Sequence, residues 1–524
     1  MVDAHDGKAL NTRPTSFDAQ ANVFPTNPEE STLTEVELMG LTSDTELSGE
    51  YTWVVSCDDW ADGGGDLFGG LGSCEATSNH AVPDADGNYL YESNPSSLDD
   101  PLAEVQMYYH LDLMSAWYDE TLGFSHSSPM QGIVNFNLAN AFYGDADGDD
   151  RAEVAFGQSG SMDFAYDADV IYHEFTHSVI GTVTNLGFFG ADEYGITFAP
   201  LALNEGSADL FSMMLTGDPK LGSYAGGAFG LPAIRDVEED RTCPHNLYGE
   251  AHEDGMIWGA MGWNMIDDPA IGPDVSAQLF FGTALGFPFD TNWGIAGDIL
   301  LETAADMLSD GAIDQTQHDA IVGHAEAAQV PGCKRVIPLD DGFQPELFTM
   351  YIGLADLYGH IPVTAQFSLE APEGATELRV RVREWNTSAD MGWTVFVRRG
   401  KHVKWNLENL MGYDVPVVGQ YDFAVDGKGK GTVTVDADSE VPLEGGETYY
   451  FALATRNLGG VGAFDTATGE VIVSGAVECC AEPEPTATTG EEKGGCGCES
   501  AGPAAVGWLV LLVGLVGLRR RETT

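Results

Sequence analysis

His173 and His177 stand four residues apart, with Glu174 directly after the first, inside a helix-forming stretch from Asp167 to Gly181. Residues at that spacing share one face of an α-helix, one turn above the other. Two neutral imidazoles so placed hold one zinc ion at about 2.0–2.1 Å each. Glu174 can reach a water on such an ion without binding the ion itself. Val170, Ile171, Val179 and Ile180 supply apolar faces. Asp167 or Asp169 can cap the start, and Gly181 offers an exit. A helix whose histidines are merely buried and hydrogen-bonded is the rival reading of this motif alone.

A second helical segment, Leu201 to Leu215, changes the balance. It offers Glu205 as a third ligand and, one turn later on the same face, Asp209. A carboxylate that takes the other ring proton of a zinc-bound histidine fixes its tautomer and raises its basicity. Asp209 suits that work, toward His173 or His177. Two histidines, a glutamate and an open position make the hydrolytic rather than the closed structural form of zinc site.

The run His173-Glu174-Phe175-Thr176-His177, followed by Asn204-Glu205-Gly206-Ser207-Ala208-Asp209, resembles the thermolysin-like and fungalysin-like metallopeptidases, the gluzincins. Three further stretches agree in order across residues 100–330. NLANAFYGDADGD, Asn137 to Asp149, looks like the segment whose Asn-Ala-Phe/Tyr core lines the substrate cleft. AIRD, around Arg235, looks like the family's arginine for a substrate carbonyl. AHEDGMIWGAMGW, from Ala251, is similar to the His-x-x-Gly segment whose histidine stabilises the transition state. The resemblance implies an α+β, thermolysin-like fold with a mixed β/α N-terminal lobe and a helical C-terminal lobe. It implies zinc on His173, His177 and Glu205, with Glu174 and His252 catalytic. Asp209 supports the ligands, and Asn140 and Arg235 hold the substrate. A surface ion pair of Arg235 with Asp236 or Glu238 is the alternative, and His245 is a weaker competitor to His252. Tyr194 is a candidate for the tyrosine that the family places beside that histidine. Asp169 matches a calcium ligand of the thermolysin branch, but Leu215-Thr216-Gly217 stands where that branch has acidic residues, which favours a simple cap.

The chain has 524 residues, enough for two or three domains, and a formal charge of -61 from 83 acidic and 22 basic residues. Such a surface repels nucleic acid and anionic lipid. It suits life in salt, where charges are screened within about 8 Å. Carboxylates neutralised by calcium are the alternative. The eight cysteines have no histidine at zinc-finger spacing. Cys57 with Cys74 and Cys243 with Cys333 are plausible bridges in an exported protein, although pairing does not follow from sequence.

The elements that must carry the site follow in order. Residues 1–20 lack an apolar signal core, and MVDAHDGKAL resembles the end of a peptidase propeptide, so residues 1–15 read as a propeptide remnant of a truncated chain. Residues 16–50 read as an extended linker or maturation segment, and 51–335 as the catalytic domain. From Pro101 an apolar stripe at helical spacing reads as core, with His110 packed in it. Asp145-x-Asp147-Gly148-Asp149 reads equally as a calcium loop without the distal glutamate of an EF-hand or as a polar turn. Residues 276–330 read as amphipathic helices. From Phe343 the period becomes two, and residues 340–475 read as a β-sandwich similar to pre-peptidase C-terminal domains. Residues 476–503 read as a flexible linker. Residues 504–521, an apolar run with Arg519, Arg520 and Arg521, look like a MYXO-CTERM sorting tail, the one part expected to touch a membrane.

Together these features predict a monomeric, secreted or surface-attached zinc endopeptidase acting on proteins or peptides, with Ca2+ as a second possible ion. A decayed peptidase fold serving as an adhesin is one rival, opposed by the intact Glu174 and ligand set. A zinc aminopeptidase is another, opposed by the lack of a Gly-x-Met-Glu-Asn-type motif for the substrate amine.

Overall fold

A computed structural model describes residues 17–62, 72–339, 342–352, 359–410, 413–462 and 466–479. The protein is mixed α+β with a strand-rich C-terminal region. It opens with an antiparallel hairpin of β1 (Phe17–Val23) and β2 (Thr34–Leu41). This corrects the reading of residues 16–50 as an extended linker. Ala19, Ala21 and Val23 are buried at every second position, an alternation that small side chains conceal in a Thr- and Glu-rich stretch. Gln106 clamps the chain after β1, accepting from Phe24 N at 2.9 Å and donating to Phe24 O at 2.7 Å.

Strands β3 (Thr52–Asp62), β4 (Gly72–Ser78), β5 (Met130–Phe136), β6 (Ala141–Gly144) and β7 (Glu153–Ser159) form a sheet in the order β4-β3-β5-β7-β6. β3, β5 and β7 are parallel, while β4 and β6 pair antiparallel to their neighbours. The short β8 (Met162–Asp163) pairs with β7. The crossover between β4 and β5 is α1 (Pro101–Leu122), capped by Asp100, which accepts from Leu102 N, and ended by Gly123 at φ 66°. Its Tyr108, Leu111, Met114 and Tyr118 are fully buried, so β5 is covered and reads as one continuous buried run. β6 is an edge strand, paired only through β7 in this sheet.

Helices α2 (Ala168–Val183), α3 (Ala199–Thr216), α4 (Ala251–Asp267), α5 (Gly272–Leu285), α6 (Trp293–Asp310) and α7 (Gln315–Ala327) follow. Between α2 and α3 lies a hairpin, β9 (Gly190–Asp192) and β10 (Gly195–Thr197); between α3 and α4, β11 (Lys220–Leu221) pairs with β12 (Arg235–Asp236). α2 runs past Gly181, whose position is open enough to continue the helix. Asp167 takes the N-cap position, one of the two expected, but makes no side-chain bond to the first turn. Its carboxylate accepts from Ala225 N at 2.7 Å, and Asp169 accepts from Gly222 N at 3.0 Å. Both carboxylates fasten α2 to the segment after β11 instead.

Two sheets face each other in the C-terminal unit, with a separate two-stranded pair, Lys404–Leu410 and Tyr413–Gln420, beside them and the short Ile361–Pro362 pairing onto Thr448–Asn457. One runs Val336–Pro338, Gln366–Glu370, Thr448–Asn457, Met391–Arg399, Phe423–Gly427; the other runs Glu346–Ile352, Thr466–Cys479, Ala375–Thr387, Gly431–Asp436. Val395, Val397, Phe451 and Leu453 from the first share a core with Val380, Val382, Val433 and Val471 from the second. The first sheet starts at Val336 and the last strand reaches Cys479, so the sandwich is wider than residues 340–475 on both sides. Cys57–Cys74 and Cys243–Cys333 are disulfides. The propeptide-like start at 1–15 and the sorting-tail segment at 504–521 lie outside the described residues. Among the described residues no helix is long and apolar enough to cross a membrane.

Candidate metal centre

α2 presents His173, Glu174 and His177 on one face, and α3 packs across it. α3 and α4 then approach backbone to backbone. A Cβ on Gly206 would fall 2.4 Å from Gly255 O, and one on Gly255 would fall 2.9 Å from Ala202 O. Only glycine tolerates that approach, and it brings Glu205 to the first turn of α4, where His252 stands.

The polar ends converge on one point. His173 Nε2 lies 3.0 Å from His177 Nε2, and Glu205 Oε2 lies 3.3 Å from the first and 3.7 Å from the second. A point equidistant from these atoms sits about 2 Å from each, the usual length of a zinc bond to imidazole or carboxylate. His252 Nε2 is 3.4 Å from the same Glu205 oxygen, and Glu174 Oε2 is 4.0 Å from His177 Nε2. Although buried, Glu205 Oε2 has no hydrogen-bond partner. An unsatisfied buried carboxylate oxygen facing imidazole nitrogens is what a cation would complete.

The three imidazole rings are oriented from behind. His173 Nδ1 lies 2.8 Å from Asp209 Oδ1, which settles which histidine Asp209 serves. His177 Nδ1 lies 2.9 Å from Asn204 Oδ1, and His252 Nδ1 lies 2.8 Å from Glu250 Oε1. Sequence reasoning assigned no role to Asn204 or Glu250. The available signals were an amide adjoining Glu205 and a carboxylate two residues before His252; Glu250 also caps α4, accepting from His252 N and Glu253 N.

Arg235, delivered by β12, is partly buried and pairs with Asp209 rather than with Asp236 or Glu238. Asn140 immediately precedes β6, its carbonyl accepting from Gly157 N at 3.0 Å. Tyr194 turns away toward the sandwich, 4.7 Å ring to ring from His402. His245 packs against Phe343, 5.1 Å ring to ring.

Charge is concentrated here. Burial opposes ionisation of Glu205, yet His252, His177 and His173 together hold it well below the carboxylate range. Burial likewise opposes ionisation of Asp209, but Arg235 and His173 pull it down to about 2. For His252 burial disfavours the proton, and Glu205 and Glu250 outweigh it, so its pKa is raised. The inner groups are sealed, while Glu174, His177 and His252 keep side-chain exposures of 11%, 14% and 19%, so solvent reaches the cluster from their side. The arrangement can hold a divalent cation with a carboxylate beside it and an imidazole across from it. No family model matches the chain, and no curated protein matches it.

Proposed function

We propose that the chain is a zinc-dependent endopeptidase of the thermolysin-like type, exported or surface-attached, that hydrolyses protein or peptide substrates. The observation that carries this reading is the convergence of His173, His177 and Glu205 about 2 Å from a common point, with Glu174 beside it. Those residues would hold the zinc, which when bound would acidify a water and polarise a carbonyl.

The chain's own groups do the rest. Glu174 Oε2, on the exposed side, accepts the proton of the attacking water and returns it to the leaving amine. His252 Nε2 points into the site because Nδ1 is engaged by Glu250, so it can donate to the oxygen that gains charge. Arg235, steadied by Asp209, offers its remaining N–H donors to a substrate carbonyl. Edge strand β6, which follows Asn140 and packs along α2, pairs with β7 alone among the described residues, so an extended peptide can lie on its other side as an added strand. Two disulfides support an oxidising, extracytoplasmic setting.

The test is casein hydrolysis by the purified protein beside Glu174→Gln in the same salt buffer. Loss of activity at equal zinc content supports the assignment. A wild-type protein that is folded and zinc-loaded but inert on casein and on unfolded peptides would remove it.

A further inference from the structure

The turn between β6 and β7 carries Asp145, Asp147 and Asp149, a pattern that sequence alone leaves open between a calcium loop and a polar turn because the distal glutamate is missing. The fold supplies a glutamate from elsewhere. Glu153, the first residue of β7, is 1% exposed, and carboxylate oxygens of Asp145, Asp147 and Glu153 all lie within 4.8 Å of one another. Glu153 Oε2 accepts from Ala146 N at 2.7 Å, whereas the buried Oε1 meets no donor.

A buried carboxylate with an orphaned oxygen is costly unless a proton or a cation attends it. Burial, and after it the charges of Asp147, Asp149 and Asp145, push the Glu153 carboxyl up to about 8. The neighbouring cation does not serve it, because the Arg151 guanidinium is taken by Asp149, with Nε 2.8 Å from Oδ2. The turn holds the other two carboxylates in place. Asp145 accepts from Gly148 N at 2.7 Å and Asp150 N at 3.1 Å, and Asp147 accepts from Asp149 N and from Gln131 Nε2, each at 3.2 Å. Gly148 at φ 77° permits the tight bend.

We propose that Asp145, Asp147 and Glu153 form a calcium site that locks the β6–β7 turn. The donors are all oxygen, which suits a hard cation and not zinc, and water fills the remaining coordination positions. The site stands at the opposite end of β6 from Asn140, so the ion fixes the edge strand at its far end. It is independent of the peptidase reading.

The experiment is titration of CaCl2 into the full chain by calorimetry in 0.2 M NaCl, about the level at which diffuse surface binding is screened, with zinc content checked before and after. One saturable site is expected in wild type, at least tenfold weaker in Glu153→Gln and in Asp147→Asn. Thermal unfolding adds a readout free of any binding model. In calcium-free buffer at pH 8 Glu153→Gln should melt at or above wild type, and added calcium should raise wild type alone. Equal calcium affinity in wild type and both variants, or no saturable binding in wild type, overturns the proposal. Should Glu153→Gln fail to fold, Asp147→Asn, on the more exposed side of the site, decides the same question.

Discussion

Asp209 serves two partners with one carboxylate. Oδ1 lies 2.8 Å from His173 Nδ1, and Arg235 forks both oxygens through Nη2 at 2.7 Å and Nε at 2.8 Å. The proposed ligand histidine and the proposed substrate arginine are therefore aligned by the same group. Asp209→Asn keeps the volume but removes the charge that both partners use. Zinc affinity should fall by about 10- to 100-fold, as is usual when a group orienting a ligand is lost. Chelator competition measures this. At saturating zinc KM should still rise, because Arg235 is no longer held. An effect on zinc alone, with unaltered KM, would separate Arg235 from substrate binding.

His252 and Glu250 give a second, graded prediction. His252→Asn removes the donor aimed from Nε2, and kcat should drop by about 10²- to 10³-fold with little change in KM. Glu250→Gln leaves the ring in place while weakening its orientation, so its loss should be smaller and in the same parameter. Zinc content should be equal in all three proteins. If Glu250→Gln loses more activity than His252→Asn, the carboxylate acts by some route other than this ring.

Buried His110 makes stability depend on pH. Burial lowers its pKa from 6.5 to about 4, with Nε2 3.0 Å from Phe24 O and Nδ1 2.7 Å from Tyr172 OH. A folded-state value below the unfolded one means the contribution is fully present above pH 6.5 and is lost as pH falls through 4. The shift corresponds to about 3 kcal/mol. Urea unfolding of His110→Gln should therefore show its largest deficit against wild type near pH 7.5, shrinking by pH 4.5. Comparing the two proteins at each pH cancels the many carboxylates common to both.

The two disulfides should differ in worth by their loops. Cys57–Cys74 closes a separation of 17 residues and Cys243–Cys333 one of 90. Chain entropy makes the longer crosslink more stabilising by about 1.5 kcal/mol. Paired Cys→Ala variants of each, compared by urea unfolding, test the ordering.

What could be read in the sequence was what repeats with a strong period or sits at fixed spacing. The strands around Arg381 and Val433 alternate so regularly that their positions followed from pattern alone, and those around Val395 and Phe451, buried almost throughout, stood out as apolar runs between turns. The faces of α2 and α3 were equally plain, since His173, His177, Glu205 and Asp209 lie one turn apart within each helix. Partners brought together by packing were not legible. Asn204 and Glu250 acquire roles only when α2, α3 and α4 meet, and that meeting depends on Gly206 and Gly255 having no side chains. Asp167 and Asp169 look like caps locally, but the backbone N–H groups of Ala225 and Gly222 claim them. Tyr194 lies between α2 and α3 in sequence, yet its hairpin belongs to the contact with the sandwich.

That contact centres on Arg335. It is 1% exposed, pairs with Asp192 of β9, and donates to Ile196 O at 2.7 Å, Gly195 O at 2.9 Å and Thr364 O. One guanidinium thus satisfies the β9–β10 hairpin and the sandwich together. Arg335→Met would fill most of the space but strand Asp192 and these carbonyls, leaving a charge without its partner. Breaking one side of a fully buried pair costs about 3–5 kcal/mol, and with Asp192 19% exposed and still bonded to Tyr194 N the loss should fall toward the low end of that range. The double variant with Asp192→Asn should recover part of that loss, because the orphaned charge is gone. Since the hairpin connects α2 to α3, the single variant should also bind zinc more weakly under conditions where it is still folded. Urea unfolding of wild type, both singles and the double gives the coupling energy. Additive losses, with no recovery in the double, would show that Arg335 stabilises the junction through the carbonyl oxygens and that its pairing with Asp192 contributes little.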